Sequence, residues 1–381
     1  MAPRRCVIDT HAHIYPSIYL DRIELLGADA ESTRVARNIG ADTTAQDMAA
    51  RIRMMDDAGV AVQVLSAVPH LPMVANAAQA ATASRIVNNL YAKAARDYPG
   101  RFISYGALPL PHIKESILEA RRCIDDLGFV GICITTLIRA TDGQLLSPAD
   151  PRFFPLYVEL DRRKAILYLH ATGNGACSSM INEHSLQRVT GAPVEDSTAV
   201  LQLLKADIPR RFPNMRIHVA HLGGDIPFLA QRIEDNYEDW NAFPCSPMEA
   251  LKRMWFDAAN FHAPSLRLTA DTFGDDRIMC GSDFPYFQNE KYTRAVTYIR
   301  DAGLGDDATE RILYGNARKL YGDKLPPPLD VNGGAFEAEA AADAAVDGAT
   351  KDADKALDAE QAEQEFIVCV RAVDDADCRL W

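Results

Sequence analysis

Ile8-Asp9-Thr10-His11-Ala12-His13 opens the chain with two imidazoles two residues apart. On an extended strand, residues at that spacing point to the same side, so His11 and His13 can offer nitrogen ligands to one metal ion. Side chains of matching chemistry recur downstream, each just after a short apolar run. His170 ends Ile166-Leu167-Tyr168-Leu169, His221 follows Arg216-Ile217-His218-Val219-Ala220, and Asp283 follows Ile278-Met279-Cys280-Gly281-Ser282. Core packing alone predicts no such preference for run ends. Imidazoles with one carboxylate suit Zn2+ first and Mn2+ as a rival, rather than Ca2+ or Mg2+. A site that keeps one position open for water or substrate is catalytic in type.

These residues need a scaffold that brings the ends of distant strands together. The strand candidates are Cys6–Thr10, Val62–Ala67, Phe102–Leu108, Val130–Thr135, Ala165–His170, Met215–Ala220, Met254–Ala258 and Arg277–Ser282. Most are short and apolar, as strands buried on both faces of a parallel sheet are. Helical patterns lie between them, at Ala45–Ala58, Ala77–Asp97, Ile113–Leu127, Phe153–Arg163, Ser197–Phe212 and Ile226–Tyr237. Eight strands alternating with helices predict a (β/α)8 barrel of the TIM type, whose active sites sit at the C-terminal ends of the strands. An open doubly wound sheet is the alternative, but no Gly-rich dinucleotide loop follows the first strand.

The remaining histidines are weaker candidates. His218 lies three before His221, and that odd separation predicts a packed or helix-facing side chain. His70 and His262 follow the second and seventh strands and can reach the mouth as substrate contacts. His112 and His184 are expected at the surface.

The chain has 381 residues, 48% hydrophobic and 24% charged, an ordinary globular composition. No apolar stretch approaches the roughly 20 residues of a membrane helix, and no apolar segment follows Met1-Ala2-Pro3-Arg4-Arg5 as a signal peptide requires. The eight cysteines are scattered without a C-x-x-C pair, so reduced thiols and a cytoplasmic location are expected. The net charge of −13 sits mostly at one end: the residues from Asp330 onward hold 14 acidic and four basic side chains. The body is nearly neutral and offers no basic surface for nucleic acid. The predicted organisation is a barrel over residues 1–325 and an acidic, Ala-rich, mostly disordered tail over 326–381, with one apolar stretch, Phe366–Val370.

The chain resembles the amidohydrolase superfamily, and within it the aminocarboxymuconate-semialdehyde decarboxylase-related group. The matching residues are Ile8 to His13, Val62-Gln63-Val64-Leu65-Ser66 and Arg101-Phe102 leading to Gly106-Ala107-Leu108-Pro109. Further matches are His221-Leu222-Gly223-Gly224 with Pro227-Phe228, Gly281-Ser282-Asp283-Phe284-Pro285, and Gly315-Asn316-Ala317. The resemblance implies a metal ion held by His11, His13, His170 and Asp283, with His221 beside it as a proton-transfer residue. It implies a non-oxidative decarboxylase acting on a small hydroxylated aromatic or muconate-type carboxylic acid, and a homodimer. Binuclear relatives often carry a carboxylated lysine on the fourth strand; Val130 to Thr136 has none, so one ion is expected.

Decarboxylation must avoid a free carbanion. Either hydroxide, formed with His221 as base, adds to the unsaturated carbon, or an acid such as Asp283 protonates the ring carbon directly. Arg34 resembles the arginine this group uses for a substrate carboxylate, and Glu195 resembles its Pro-x-Glu turn. With His262 and Phe284 they complete the substrate-contact candidates. One departure stands out. Ala171-Thr172-Gly173-Asn174-Gly175 follows His170, where several relatives carry Pro and an aromatic ring. The rivals are a hydrolase or hydratase working by hydroxide attack, separated by water uptake instead of CO2 release, and a non-catalytic binding barrel.

Overall fold

The computed structural model describes residues 7–326. The expectations for the acidic tail, Phe366–Val370 included, fall on residues outside that range.

Eight parallel strands form one sheet in sequential order. They are β1 (Val7–His13), β2 (Val60–Ser66), β3 (Phe102–Ala107), β4 (Gly131–Thr135), β5 (Ile166–His170), β6 (Arg216–Val219), β7 (Trp255–Asp257) and β8 (Ile278–Met279). A helix follows each strand: α1 (Ala45–Ala58), α2 (Ala77–Asp97), α3 (Ile113–Arg121), α4 (Phe154–Arg162), α5 (Ala192–Lys205), α6 (Ile226–Trp240), α7 (Ala263–Phe273) and α8 (Glu290–Arg300). This is the (β/α)8 barrel that the alternation predicts.

The helix boundaries follow local chemistry. Thr44 caps α1 by accepting from the Asp47 N–H at 3.1 Å, and Gly59 ends it at φ +74°. Met48, Arg51, Met55 and Ala58 make its buried stripe. Two expected helices differ from the pattern. Ser197–Phe212 is not one helix: Pro193 sits in the first turn of α5, which starts at Ala192, and Asp207 at φ +59° separates it from the short turn Ile208–Arg211. The Ile113–Leu127 segment is α-helical only to Arg121 and then widens into a π-type turn over Arg122–Asp126.

The barrel closes where the sequence is least strand-like. β8 pairs with β7 over only two residues, because the Cys280 N–H goes to Ile312 O at 2.9 Å instead. Beyond it the chain seals against β1: Thr10 N–H bonds Cys280 O at 2.8 Å, Asp283 N–H bonds His11 O at 2.9 Å, and His13 N–H bonds Phe284 O at 2.7 Å. The buried Asp9 carboxylate reinforces the seam, accepting from the Ser282 hydroxyl at 2.6 Å and the Gln63 amide at 3.0 Å. Residue 283 is thereby fixed directly beside residues 11 and 13.

Close strand approach also makes a test. A Cβ on Gly131 would lie 2.1 Å from the Ile166 carbonyl oxygen, a backbone atom of the neighbouring β5 that cannot move alone. Gly131→Ala is expected to lower unfolding stability by about 1–3 kcal/mol, as overpacking does. An unchanged denaturation midpoint would mean that β4 and β5 do not approach this closely.

Candidate metal centre

Four side chains converge at the C-terminal mouth. His11 and His13 come from β1, His170 from the end of β5, and Asp283 from the turn after β8; one ligand atom from each lies within 4.8 Å of all the others. Each imidazole is oriented by its far nitrogen. His11 Nδ1 bonds Asp257 Oδ1 at 3.0 Å, His13 Nδ1 bonds the Ser66 hydroxyl at 3.0 Å, and His170 Nδ1 donates to Ala171 O at 2.6 Å. A carbonyl only accepts, so His170 Nδ1 carries the proton and Nε2 keeps a lone pair. That Nε2 is buried with no hydrogen-bond partner. His11 and His13 bring their Nε2 atoms to 3.2 Å from each other, with Asp283 Oδ1 at 3.3 and 3.2 Å. Three nitrogens aimed at one point, each with its opposite face tied to the protein, make a donor set for a divalent ion. A purely structural core would not leave such an atom unpaired.

Asp283 holds its position at φ +52°, outside the usual range for a residue other than Gly. His221 does the same at φ +54°, in the turn after β6. Strained backbone held by its surroundings is common where geometry serves a site. The His221 N–H donates to Asp257 Oδ1 at 3.1 Å, its Nδ1 lies 2.8 Å from Asp196 Oδ2, and its Nε2 lies 3.9 Å from Asp283 Oδ2. Its ring centroid is 5.0 Å from those of His11 and His170.

Opposing effects set the charges. Burial alone would lower His221, but Asp196 and then Asp283 outweigh it and raise the imidazole well above its ordinary value. Burial likewise opposes protonation of His11, and Asp257 and Asp283 still lift it to about 9. His13 goes the other way, down to about 4, because burial and the charge of His11 outweigh its bond to Asp283. Burial would raise Asp283, but bonds to His11, His13 and His221 hold it well below the usual carboxylate range. These bonds favour the ionised form of Asp283.

Two carboxylates that orient this site carry more than the sequence indicated. Asp257 is fully buried and serves both His11 and the His221 backbone. Its one signal is a carboxylate at the end of the apolar triplet Trp255-Phe256-Asp257. Asp196, legible only as a helix-start acid, is the His221 partner.

The substrate-contact candidates do not join the cluster. Arg34 is exposed and paired with Glu31 at 2.6 Å on the same short helix, so its charge is already engaged. Glu195 is buried, but its oxygens are used by Thr136 Oγ1 at 2.8 Å, Thr172 Oγ1 at 2.7 Å and Ala176 N–H at 3.1 Å. It anchors the loop after β5. His262 is exposed and bonds Ser265 at 2.8 Å in the first turn of α7. Phe284 faces the helix layer, with the Arg51 guanidinium 4.3 Å above its ring and Tyr292 edge-on at 5.7 Å. The left-handed backbone at Asp283 breaks the extended run and turns the two neighbouring side chains apart.

His218 is packed as expected, but inside the barrel. It bonds Tyr105 of β3 at 2.9 Å and lies 4.6 Å from the Tyr168 ring of β5, contacts available only in the lumen. The odd-spacing argument failed because β6 ends at Val219, so alternation does not extend to His221. His112 is half-buried, bonding Val74 O at 2.9 Å, whereas His184 is exposed. Aromatic rings wall the cluster: Tyr15 and Tyr286, which the sequence did not flag, and His70, which it placed near the mouth. Tyr15 stacks on His13 at 5.6 Å, Tyr286 meets it at 5.9 Å, and His70 stands edge-on to Tyr15 at 5.0 Å.

Known proteins resemble the chain over most of its length. The 2-amino-3-carboxymuconate-6-semialdehyde decarboxylase of Dictyostelium discoideum is 28% identical over 288 residues, spanning 74% of this chain and 78% of that one. A gamma-resorcylate decarboxylase of Rhizobium sp. is 26% identical over 286 residues, spanning 71% of this chain and 86% of its own. The crystal structure of a dihydroxybenzoic acid decarboxylase from Polaromonas sp., with bound manganese and the inhibitor 2-nitroresorcinol, superposes with a TM-score of 0.72. That match covers 83% of this chain and 97% of the other at 19% identity, a likeness of fold. The amidohydrolase family model matches residues 8–322, nearly all of the barrel whose strand ends carry the histidines and Asp283, and the chain belongs to the amidohydrolase family.

Proposed function

We propose that this protein is a metal-dependent, non-oxidative decarboxylase of small hydroxylated aromatic or muconate-type carboxylic acids. The observation that carries the reading is the convergence of three oriented imidazoles and Asp283 beside the His221–Asp196 pair. Decarboxylases among the relatives support the choice of reaction. His11, His13, His170 and Asp283 would hold a single divalent ion, since Gly131–Thr135 offers no lysine for a second. The donor set favours Zn2+, and the manganese of the Polaromonas structure makes Mn2+ its rival. Such an ion would bind and polarise substrate oxygens.

The chain's own residues then have distinct tasks. Asp196 holds Nδ1 of His221, which turns Nε2 toward the cluster. The Asp196 carboxylate at Nδ1 favours the protonated imidazole, suiting it to deliver a proton to the ring carbon. The new C–H bond forms as the C–C bond to the carboxylate breaks. Its electron pair returns to the ring, CO2 leaves, and water reprotonates His221. Asp283 stays ionised, so direct protonation by it is the weaker route. Tyr15 and Tyr286 supply the aromatic wall that the loop after His170 lacks.

The barrel as one catalytic unit over residues 1–325, a homodimer and a cytoplasmic location complete this reading. Among the described residues no helix is long and apolar enough to cross a membrane. The test is elemental analysis of the purified protein, followed by a panel of hydroxybenzoates and muconates with CO2 detection. About one ion per chain and CO2 release that stops on chelation are expected, with Zn2+ and Mn2+ ranked by restoration. Water uptake without CO2 would assign the site to a hydratase or hydrolase, and absence of metal would overturn the reading.

A further inference from the structure

A polar stack fills the barrel lumen next to the candidate metal centre, in a layer where branched apolar side chains would satisfy packing. It consists of Tyr105 on β3, Tyr168 on β5 and His218 on β6, all fully buried. The Tyr105 and Tyr168 rings stack with centroids 4.9 Å apart, and His218 lies 4.6 Å from Tyr168. Tyr168 stands two residues before His170 on the same strand, so both side chains point inward. Its ring is 5.7 Å from that of His11 and 6.1 Å from that of His170.

The stack meets the metal centre at Asp257. Oδ1 of that carboxylate accepts from His11 Nδ1 at 3.0 Å, the His221 N–H at 3.1 Å and the Ala259 N–H at 3.2 Å. Oδ2 has the Tyr168 hydroxyl and His218 Nε2, each at 3.4 Å. An ionised carboxylate only accepts, so His11 Nδ1 carries a proton and Nε2 is the nitrogen left for a metal ion. The other side of His218 sets its own proton. The Tyr105 hydroxyl lies 2.9 Å from His218 Nδ1 and 2.8 Å from the Tyr321 hydroxyl, on the short helix Asn316–Tyr321. Burial outweighs the pull of Asp257 and lowers His218, which favours the neutral ring. One arrangement then serves every atom. Tyr321 donates to Tyr105, Tyr105 donates to Nδ1, and Nε2 presents its N–H to Asp257.

We infer that His218 is a positioning residue: backed by Tyr105, it fixes the Asp257 carboxylate, and through it the orientation of the metal ligand His11 and of the His221 turn. This deepens, and rests on, the metal-dependent reading above. His218 touches neither substrate nor ion. Its task is to keep Oδ1 turned toward His11 and His221 by holding Oδ2, as groups behind a ligand do in metal sites.

The test is Mn2+ titration of the metal-free, full-length protein by calorimetry, with two variants that separate packing from hydrogen bonding. His218→Phe keeps a ring against Tyr168 and removes the N–H donor. His218→Gln keeps a donor at similar reach and removes the ring. The first is expected to weaken Mn2+ binding about ten-fold, and the second by less than about three-fold. A packing role predicts the opposite order. Wild-type affinity in His218→Phe, or the greater loss in His218→Gln, would overturn the inference. Should His218→Phe not fold, Tyr105→Phe keeps the stack and removes the hydroxyl behind Nδ1; wild-type affinity there would overturn it equally. Proton–nitrogen correlation spectra of the metal-free protein give a reading independent of the ion. The His218 signals, assigned by their loss in the variants, should place the proton on Nε2, and a proton on Nδ1 alone would overturn the role. The expected order of variants in a protein that releases no CO2 from any acid would keep this role and refute the decarboxylase reading. CO2 release with the packing order would do the reverse.

Discussion

Asp283→Asn is expected to leave the protein folded but depleted of metal, with CO2 release down at least ~10^3-fold. The size follows from the several kcal/mol of charge stabilisation a bound ion supplies, at about 1.4 kcal/mol per factor of ten. Asp283 is the only carboxylate in the candidate ligand group, and its Oδ1 sits 3.2–3.3 Å from the Nε2 atoms of His11 and His13. Asn keeps the shape and tolerates the left-handed backbone at φ +52°, so the variant removes charge rather than fold. Elemental analysis and circular dichroism together check it. A variant that kept its full complement of metal and its turnover would remove Asp283 from the ligand set.

His221→Asn should behave in the opposite way, retaining metal while kcat falls by about 10^2- to 10^4-fold, the usual contribution of a positioned acid or base. Asp196→Asn separates proton delivery from mere support. The Asp196 carboxylate raises His221 against the lowering effect of burial. An acid is lost as pH rises through its pKa, so activity falls on the basic limb of the pH profile. Without the Asp196 charge the His221 pKa drops, and that limb should move to lower pH. A simple loss of amplitude with an unmoved limb would make Asp196 structural. Unchanged kcat in His221→Asn would pass the proton to another group.

Much of this arrangement was legible because it depends on local pattern. Apolar runs separated by helical periodicity give the barrel, and its strand ends locate His11, His13, His170, His221 and Asp283. The strand fragment Gly131–Thr135 shows directly that it carries no lysine. Such features need only the two-residue repeat of a strand, the helical repeat, and punctuation by residues such as Thr44 and Gly59.

What sequence could not reach depends on contacts between segments far apart in the chain. Asp257 reads as one acid in an apolar strand until folding sets it against His11, 246 residues away. Arg34 looks available until its own helix supplies Glu31, and Glu195 looks like a site residue until the loop after β5 uses its oxygens. Phe284 and Asp283 are neighbours in sequence, yet the left-handed backbone at Asp283 sends one to the helix layer and the other to the mouth. Sequence by itself determined the barrel and the donor atoms at its strand ends, because short-range periodicity encodes both. Tertiary structure alone decided which charges were already spent, how each imidazole is turned, and that Tyr15, His70 and Tyr286 share one wall. Burial and hydrogen-bond partnership are properties of the packed chain, and no window of sequence contains them.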